Sequence, residues 1–347
     1  MDRRSFLRAG AFAVTTAAGG TFLIGCAPTT RNDAANSTGD QTLPEVAFVT
    51  PFQHIINYID VYVAVQEGFF EKEGLRVKPI GGTGTASSIS QVTAGQGMFG
   101  KGAAVITSPL ILDTGAEIIT IGQNDQVSQY SVASDPTKPL NSPADWQGKT
   151  IGVISKGGTT ELLLDAMSVT AGLDPTKVRK VVTGADVGSL EFLKRGEVDG
   201  FITFLGSETA LRQRGVELNY LNTDKFAKMP GDSYFVKKSD AQSKGEEITG
   251  FLRACRKAYE FTEDKANLDK VLSAMGAFNA VEVSDKEVAR LKIEAQAKLC
   301  KPANGKYLSI DMPAWESALE LMRKSGIVKD KSRPLSDIVT AEFVDKV

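Results

Sequence analysis

What most constrains this chain is the order in which its structural punctuation falls. From residue 43 onward, short β-branched runs alternate with helical stretches, and the joints between them are rich in glycine, serine and threonine. Such alternation predicts α/β lobes with largely parallel sheets, because a parallel neighbour must be reached by a crossover that a helix normally supplies. The first unit reads as a strand at 45–50, a loop Pro51-Phe52-Gln53-His54, and a helix over 55–68 whose Ile55, Ile59, Tyr62 and Val63 share a face. Gly68 and Gly74 then turn the chain into a strand at 75–80.

That strand runs into Gly81-Gly82-Thr83-Gly84-Thr85 and a helix at 86–94. The arrangement recurs at a strand 150–154, a loop Ser155-Lys156-Gly157-Gly158-Thr159-Thr160 and a helix 161–171. Glycine lets the backbone turn sharply and approach a ligand, while threonine hydroxyls and free N–H groups at a helix start hold a carboxylate, sulfonate or phosphate. In open α/β sheets, ligands bind at the carboxyl ends of strands, where these loops fall. Helix capping explains either loop alone equally well; the pairing favours binding.

Other strand ends supply further candidates. Gly100-Lys101-Gly102 precedes a helix at 103–112, Thr183-Gly184-Ala185-Asp186 one at 187–195, and Phe204-Leu205-Gly206-Ser207-Glu208 one at 209–214. Lys101 and Lys156, in glycine-rich joints, either neutralise an anion or are simply solvated. Asp186 and Glu208 either receive ligand N–H groups or cap the following helix. The C-terminal third reads as structural helices at 248–261, 268–278, 285–299 and 312–325.

The first 26 residues read as an address. Arg3-Arg4 with Phe6-Leu7 behind them marks twin-arginine export, although Asp2 stands where that pattern prefers Ser or Thr, and Leu23-Ile24-Gly25-Cys26 resembles a lipobox. The apolar run 9–24 has 16 residues, many of them Gly, Ala and Thr, against the ~20 that a spanning helix needs. The expectation is a mature chain starting at a lipidated Cys26, outside the cytoplasm, on a flexible tether over 26–43. General secretion remains open as the export route.

Composition closes several functional classes. Formal net charge is −2, and −4 once residues 1–25, with three Arg and one Asp, are removed; no basic stripe suits a nucleic acid. One histidine and no Cys-x-x-Cys make a zinc site or a histidine-based triad hard to assemble, and no phosphate-loop motif occurs. No cofactor or metal is expected. Cys255 and Cys300 either pair or remain buried thiols.

The order of motifs resembles a family, the solute-binding proteins of bacterial ABC importers that include binders of sulfonates, taurine, nitrate and thiamine-precursor pyrimidines. The resemblance spans about 46–257. It rests on Ala64-x-x-Glu67-Gly68-Phe69-Phe70-x-x-x-Gly74-Leu75-x-Val77, then Gly95-Gln96-Gly97-Met98-Phe99-Gly100, Asp145-Trp146-Gln147-Gly148-Lys149-Thr150-Ile151-Gly152-Val153 and Gly196-Glu197-Val198-Asp199-Gly200. Met98 departs from it, standing where the family often carries Asp.

The resemblance implies a type II periplasmic-binding-protein fold: two α/β lobes that close on a ligand in the cleft between them. Lobe one would be about 44–134 plus 234–347 and lobe two 135–233, with crossings at 130–133 and 234–236. It also implies that Phe52, Gln53, His54, Asn57 and Tyr58 face the ligand, where an aromatic ring and an imidazole suit a small planar molecule. Core packing is an equal reading for Phe52 and Tyr58; His54 is read as a binding contact. With Thr83, Gly84, Thr85, Lys101, Gly102, the 155–160 loop, Asp186 and Glu208, these form the candidate site. The expected function is capture of a small organic anion (aromatic carboxylate or sulfonate) or a nitrogen heterocycle by a monomeric, lipid-anchored protein, for delivery to an ABC permease and its ATPase. The rivals are an enzyme like the pyrimidine synthase of thiamine biosynthesis, whose cysteine-rich motif has no counterpart here, and the sensing subunit of a membrane receptor.

Overall fold

Two sheets are built on one plan in the computed structural model, which describes residues 43–184 and 188–347. The strands are β1 (Glu45–Val49), β2 (Arg76–Ile80), β3 (Phe99–Ala103), β4 (Ile118–Gln123), β5 (Tyr130–Ser134), β6 (Thr150–Val153), β7 (Arg179–Val182), β8 (Gly200–Phe204), β9 (Asn219–Asn222) and β10 (Asp232–Lys237). One sheet has the order β2-β1-β3-β10-β4 and the other β7-β6-β8-β5-β9. In each, three parallel strands are followed by one antiparallel strand, which is the strand entering from the other half: β10 in the first, β5 in the second. The helical crossovers lie between the parallel strands, as their connection requires, and the two-lobed α/β class expected from the alternation is the one observed.

β3 overturns one local reading. Gly100-Lys101-Gly102, read as a strand-end loop, is the middle of a fully buried strand. The glycines are there for packing: a Cβ on Gly100 would lie 2.3 Å from Phe235 Cζ, and one on Gly102 2.3 Å from Thr85 Cγ2. Lys101 projects from the opposite face, as a strand's alternation demands, and pairs in register with Tyr234. The joint after β8 differs as well. Its helix starts at Leu205, placing Gly206, Ser207 and Glu208 in the first turn and not in a loop. The helix expected over 55–68 is a 3₁₀ turn, Ile56–Tyr58, running into an α-helix, Ile59–Gln66.

The first sheet's core is aromatic. Phe251, on the helix Gly245–Glu263, stacks on Phe99 with ring centroids 3.8 Å apart and also touches Phe48, Phe70 and Tyr234. The helix Met312–Lys324 packs against the helix Thr159–Thr170, so the C-terminal region leans on the second half as well as the first. Beyond it the chain returns to the outer edge of β4, where Thr120 N donates to Ile338 O at 2.8 Å and Thr340 N to Thr120 O at 2.9 Å. Among the described residues no helix is long and apolar enough to cross a membrane.

Candidate functional site

The chain passes between the sheets twice, at 124–129 from β4 to β5 and at 223–231 from β9 to β10. The two passages touch. Asn124 N and Asp125 N both donate to Asp232 O at 3.0 Å, and Gly231 N donates to Asp125 O at 3.3 Å. Gly231 has no room for a side chain, since a Cβ there would sit 2.6 Å from that of Asp125. Two strands that each enter a foreign sheet are thereby held in contact at the point of exchange.

Buried polar groups collect at this point. The Gln129 amide donates from Nε2 to Asp125 Oδ2 at 3.3 Å and to Asp232 Oδ2 at 3.5 Å, while its Oε1 accepts from Asn57 Nδ2 at 2.8 Å. Asp125 Oδ1 accepts from Asn124 Nδ2 at 2.8 Å and from Gln296 Nε2 at 3.2 Å. Lys101, with no exposed surface, donates from Nζ to Asn57 O at 3.2 Å and lies 5.1 Å from the ring centroids of both Tyr58 and Tyr234. Asp60 accepts from the Tyr234 hydroxyl through Oδ2, and its buried Oδ1 has no hydrogen-bond partner.

Three carboxyls thus surround one ammonium. Burial works against the Lys101 charge, but Asp60, Asp125, Cys300 and Asp232 outweigh it and hold the ammonium above the ordinary lysine value. Burial raises Asp60 and Asp125, with Lys101 opposing it in both. Asp232 is pushed up to about 7 by burial and by Asp125 beside it, against the pull of Lys101 and the Gln129 amide. A fully ionised set would carry a net buried charge of −2, which a low-dielectric site resists. Tyr58 and Tyr130 feel both Asp125 and Asp232, and burial first of all drives their hydroxyls well above the ordinary range.

The candidates from sequence divide around this cluster. Asn57, Tyr58 and Lys101 are part of it, although Lys101 answers carboxylates within the fold instead of waiting in a loop for an anion. Thr159 joins from the second half, hydrogen-bonded to the Tyr130 hydroxyl. Thr85 and Gly102 touch each other and support β3. Thr160 Oγ1 accepts from Ile154 N at 3.0 Å, fixing its own loop, and Gly158 is packed against Ser155. Ser155, Lys156 and Gly157 are exposed; Gly157 N donates to Glu161 at 2.5 Å, tying the loop to its helix. Glu208 pairs with Arg212 along its helix at 2.9 Å.

Near the first loop, His54 Nδ1 lies 3.1 Å from the Tyr62 hydroxyl, and its ring packs on Tyr62 and Phe278. Burial lowers its pKa, so the neutral imidazole is the form held there. Gln53 and His54 both reach Gly81, while Gly82 fits under Thr50 O, where a Cβ would stand 1.9 Å away. That glycine pair serves loop-to-loop packing. Phe52, Gln53 and Thr83 are exposed, and Gly84, at φ +146°, precedes the helix Thr85–Thr93. A gap of about 20 Å3 separates Asn57 from Leu205 and Gly206, room for about one water. Asp186 and Cys26 lie outside the described residues.

Asp60, Asp125, Gln129, Tyr130 and Asp232 were absent from the sequence candidates. Their signal is weak: isolated polar residues on a helix and near strand ends, with no repeat around them. Cys255 and Cys300 are both free and buried; Cys300 Sγ lies 3.4 Å from Asp125 Oδ1. Among the described residues no group of three or more His, Cys, Asp and Glu is placed to hold a metal ion.

Comparison with known proteins follows the fold. Residues 55–267 match the family model described as NMT1/THI5 like. The chain is 25% identical over 315 residues to a formylaminopyrimidine-binding protein of Halalkalibacterium halodurans, covering 86% of this chain and 88% of the relative. Among solved structures it resembles the periplasmic aliphatic sulphonate binding protein SsuA from Escherichia coli, with TM-score 0.64, 14% identity, and 83% and 89% of the two chains covered. A desulfurization enzyme, DSZB, has TM-score 0.53 at 13% identity over 87% of this chain and 98% of its own. The latter two likenesses are of fold alone.

Proposed function

The chain belongs to the NMT1/THI5-like family, and on that premise we propose that it is the solute-binding component of an ABC importer, taking a nitrogen heterocycle between its two lobes. Support for the binding role comes from the relative named for formylaminopyrimidine binding, aligned over most of both chains, and from a fold that periplasmic binders share. The observation that carries the ligand class is the acidic floor. Asp125 and Asp232, where the two passages meet, accept hydrogen bonds and repel anions, with Tyr58 and Tyr130 beside them. A ring bearing N–H donors suits that surface, whereas a sulfonate or carboxylate would add to a negative charge already in excess.

The mechanism is closure without chemistry. A solute that touches the Tyr58 side and the Thr159 side at once binds the closed arrangement better than the open one, and shifts the population by that difference in affinity. Phe52, Gln53, His54, Thr83 and Gly84 from one half, and Ser155, Lys156 and Gly157 from the other, form the rim of this reading. A lipid on Cys26 and the 26–43 tether would hold a monomer outside the cytoplasm beside its permease and ATPase. Calorimetric titration with aminopyrimidines, formylaminopyrimidine, alkanesulfonates and nitrate tests it. One-to-one binding of a pyrimidine without product is the expected result; tight sulfonate or nitrate binding overturns the ligand class, and turnover overturns the binding role.

A further inference from the structure

The gap of about 20 Å3 beside Asn57 is bounded by residues 55–57 from one half and 204–206 from the other, and Gln296, on the helix Lys286–Cys300, lines it too. Hydrogen-bond stoichiometry decides which atoms the two amides can turn toward it. Asn124 Nδ2 and Gln296 Nε2 donate to Asp125 Oδ1 at 2.8 and 3.2 Å, the Cys300 thiol approaches the same oxygen at 3.4 Å, and Gln129 Nε2 donates to Oδ2 at 3.3 Å. Three amides and a thiol converging on one carboxyl are a donor set that only an acceptor satisfies, so each amide meets Asp125 with its nitrogen. Gln296 Nε2 also contacts Cys300 Sγ at 3.0 Å, which engages the amide a second time.

Gln129 passes this constraint on. With its nitrogen turned to Asp125 and Asp232, it has only Oε1 for Asn57, which must answer with Nδ2, at 2.8 Å. Lys101 pins the Asn57 backbone by donating to its carbonyl at 3.2 Å. Asn57 Oδ1 and Gln296 Oε1 are the polar atoms left over. Neither accepts a hydrogen bond among the described residues, and neither is a fully enclosed orphan, so each keeps a face on open space. Donors beside the gap are engaged elsewhere: Lys292 Nζ stands 3.6 Å from Glu282 Oε2, Ile56 N donates to that oxygen at 3.4 Å, and Leu205 N donates to Gln129 O at 2.8 Å. The space suits one water, which is the size of one amino group. We infer that the gap is the subsite for an amino group of the solute, its two hydrogens shared between Asn57 Oδ1 and Gln296 Oε1. Gln129 is the positioning residue that keeps the Asn57 oxygen turned outward.

The inference rests on the proposed solute site between the lobes, and its test separates the two. Calorimetric titration compares 4-aminopyrimidine with 4-methoxypyrimidine, which cannot donate from that position. The wild-type protein should bind the amino compound about 10- to 100-fold more tightly, because the methoxy compound leaves both oxygens unpaired. Asn57→Leu and Gln296→Met should each bring the ratio to within about threefold. Gln129→Met should do so with Asn57 in place, since the Asn57 amide is then free to turn. A merely structural role for Gln129 would weaken both compounds alike and leave the ratio unchanged. In the ligand-free protein, NMR should show the side-chain amide protons of Asn57 and Gln296 exchanging slowly, and Gln129→Met should accelerate those of Asn57 alone, by about tenfold or more. A wild-type ratio near one, or a ratio unmoved in all three variants, overturns the subsite. Fast exchange of the Asn57 amide in the wild-type protein overturns the orientation, and this reading needs neither a variant that folds nor a ligand. Failure of both compounds to bind, with slow exchange intact, overturns the proposed ligand class and leaves the orientation standing.

Discussion

Lys101 shows how a residue can be found for one reason and retained for another. A lysine flanked by glycines looks like a solvated loop cation, because glycine is poor in strands and lysine is rarely buried. Here the glycines admit Phe235 and Thr85 against the strand, and the lysine's charge is sustained on its other face by the field of Asp60, Asp125 and Asp232. Replacing Lys101 by Met should destabilise the protein by about 3–5 kcal/mol, the cost of leaving buried charge uncompensated. The deficit should depend on pH. The three carboxyls have folded-state values raised above the unfolded ones, so stability is full below about pH 4 and is lost as pH rises through the raised values. Without the ammonium those values rise further, and thermal melts of Lys101→Met should fall away from wild type more at pH 8 than at pH 5. An equal deficit at both pH values would mean that Lys101 contributes packing alone. The acids themselves were not legible in the sequence, because Asp125 and Asp232 are 107 positions apart and only the exchange of strands between sheets brings them together.

At the scale of elements, the sequence was readable where burial is one-sided and opaque where it is not. The helix Leu268–Phe278 has the bounds its periodicity predicted, and the helix Met312–Lys324 ends one residue before the expected limit. Both are amphipathic, so pattern and environment agree. β3 is buried on both faces and carries no alternation to read. The two glycine–threonine loops looked alike in sequence and fold differently: one is packed under Thr50 and beside His54, the other is closed on itself by bonds from Gly157 N to Glu161 and from Ile154 N to Thr160. The glycines of β3 give a direct check. Gly100→Ala should cost about 1–3 kcal/mol by forcing the Phe235 ring aside. Gly102→Ala should cost a comparable amount, most of it recovered in the double variant with Thr85→Ser, which deletes the obstructing methyl. Denaturant melts of the three variants measure this, and a rescue absent from Gly102→Ala/Thr85→Ser would show that the strand itself rejects the side chain.

For the whole molecule, the α/β class was visible in the alternation of strands and helices, while the buried cluster around Lys101 emerged only from topology. The address at the N-terminus makes its own prediction. In the native host, Cys26→Ala should move the protein from the membrane fraction to the soluble extracytoplasmic fraction without altering its fold; retention in the membrane would remove the lipid tether from the reading. The edge formed by Ile338 and Thr340 against β4 bears on something else, the timing of synthesis. β5 to β9 are contiguous, so the second sheet has all its strands once Asn222 has left the ribosome. The first begins with Glu45, waits for β10, and has its outer edge covered only when residues 338–340 emerge. Until then β4 offers unpaired N–H and C=O groups, a template for pairing with another chain. The newborn protein is therefore finished from the middle outward, and its first sheet has this edge covered only when residues 338–340 emerge.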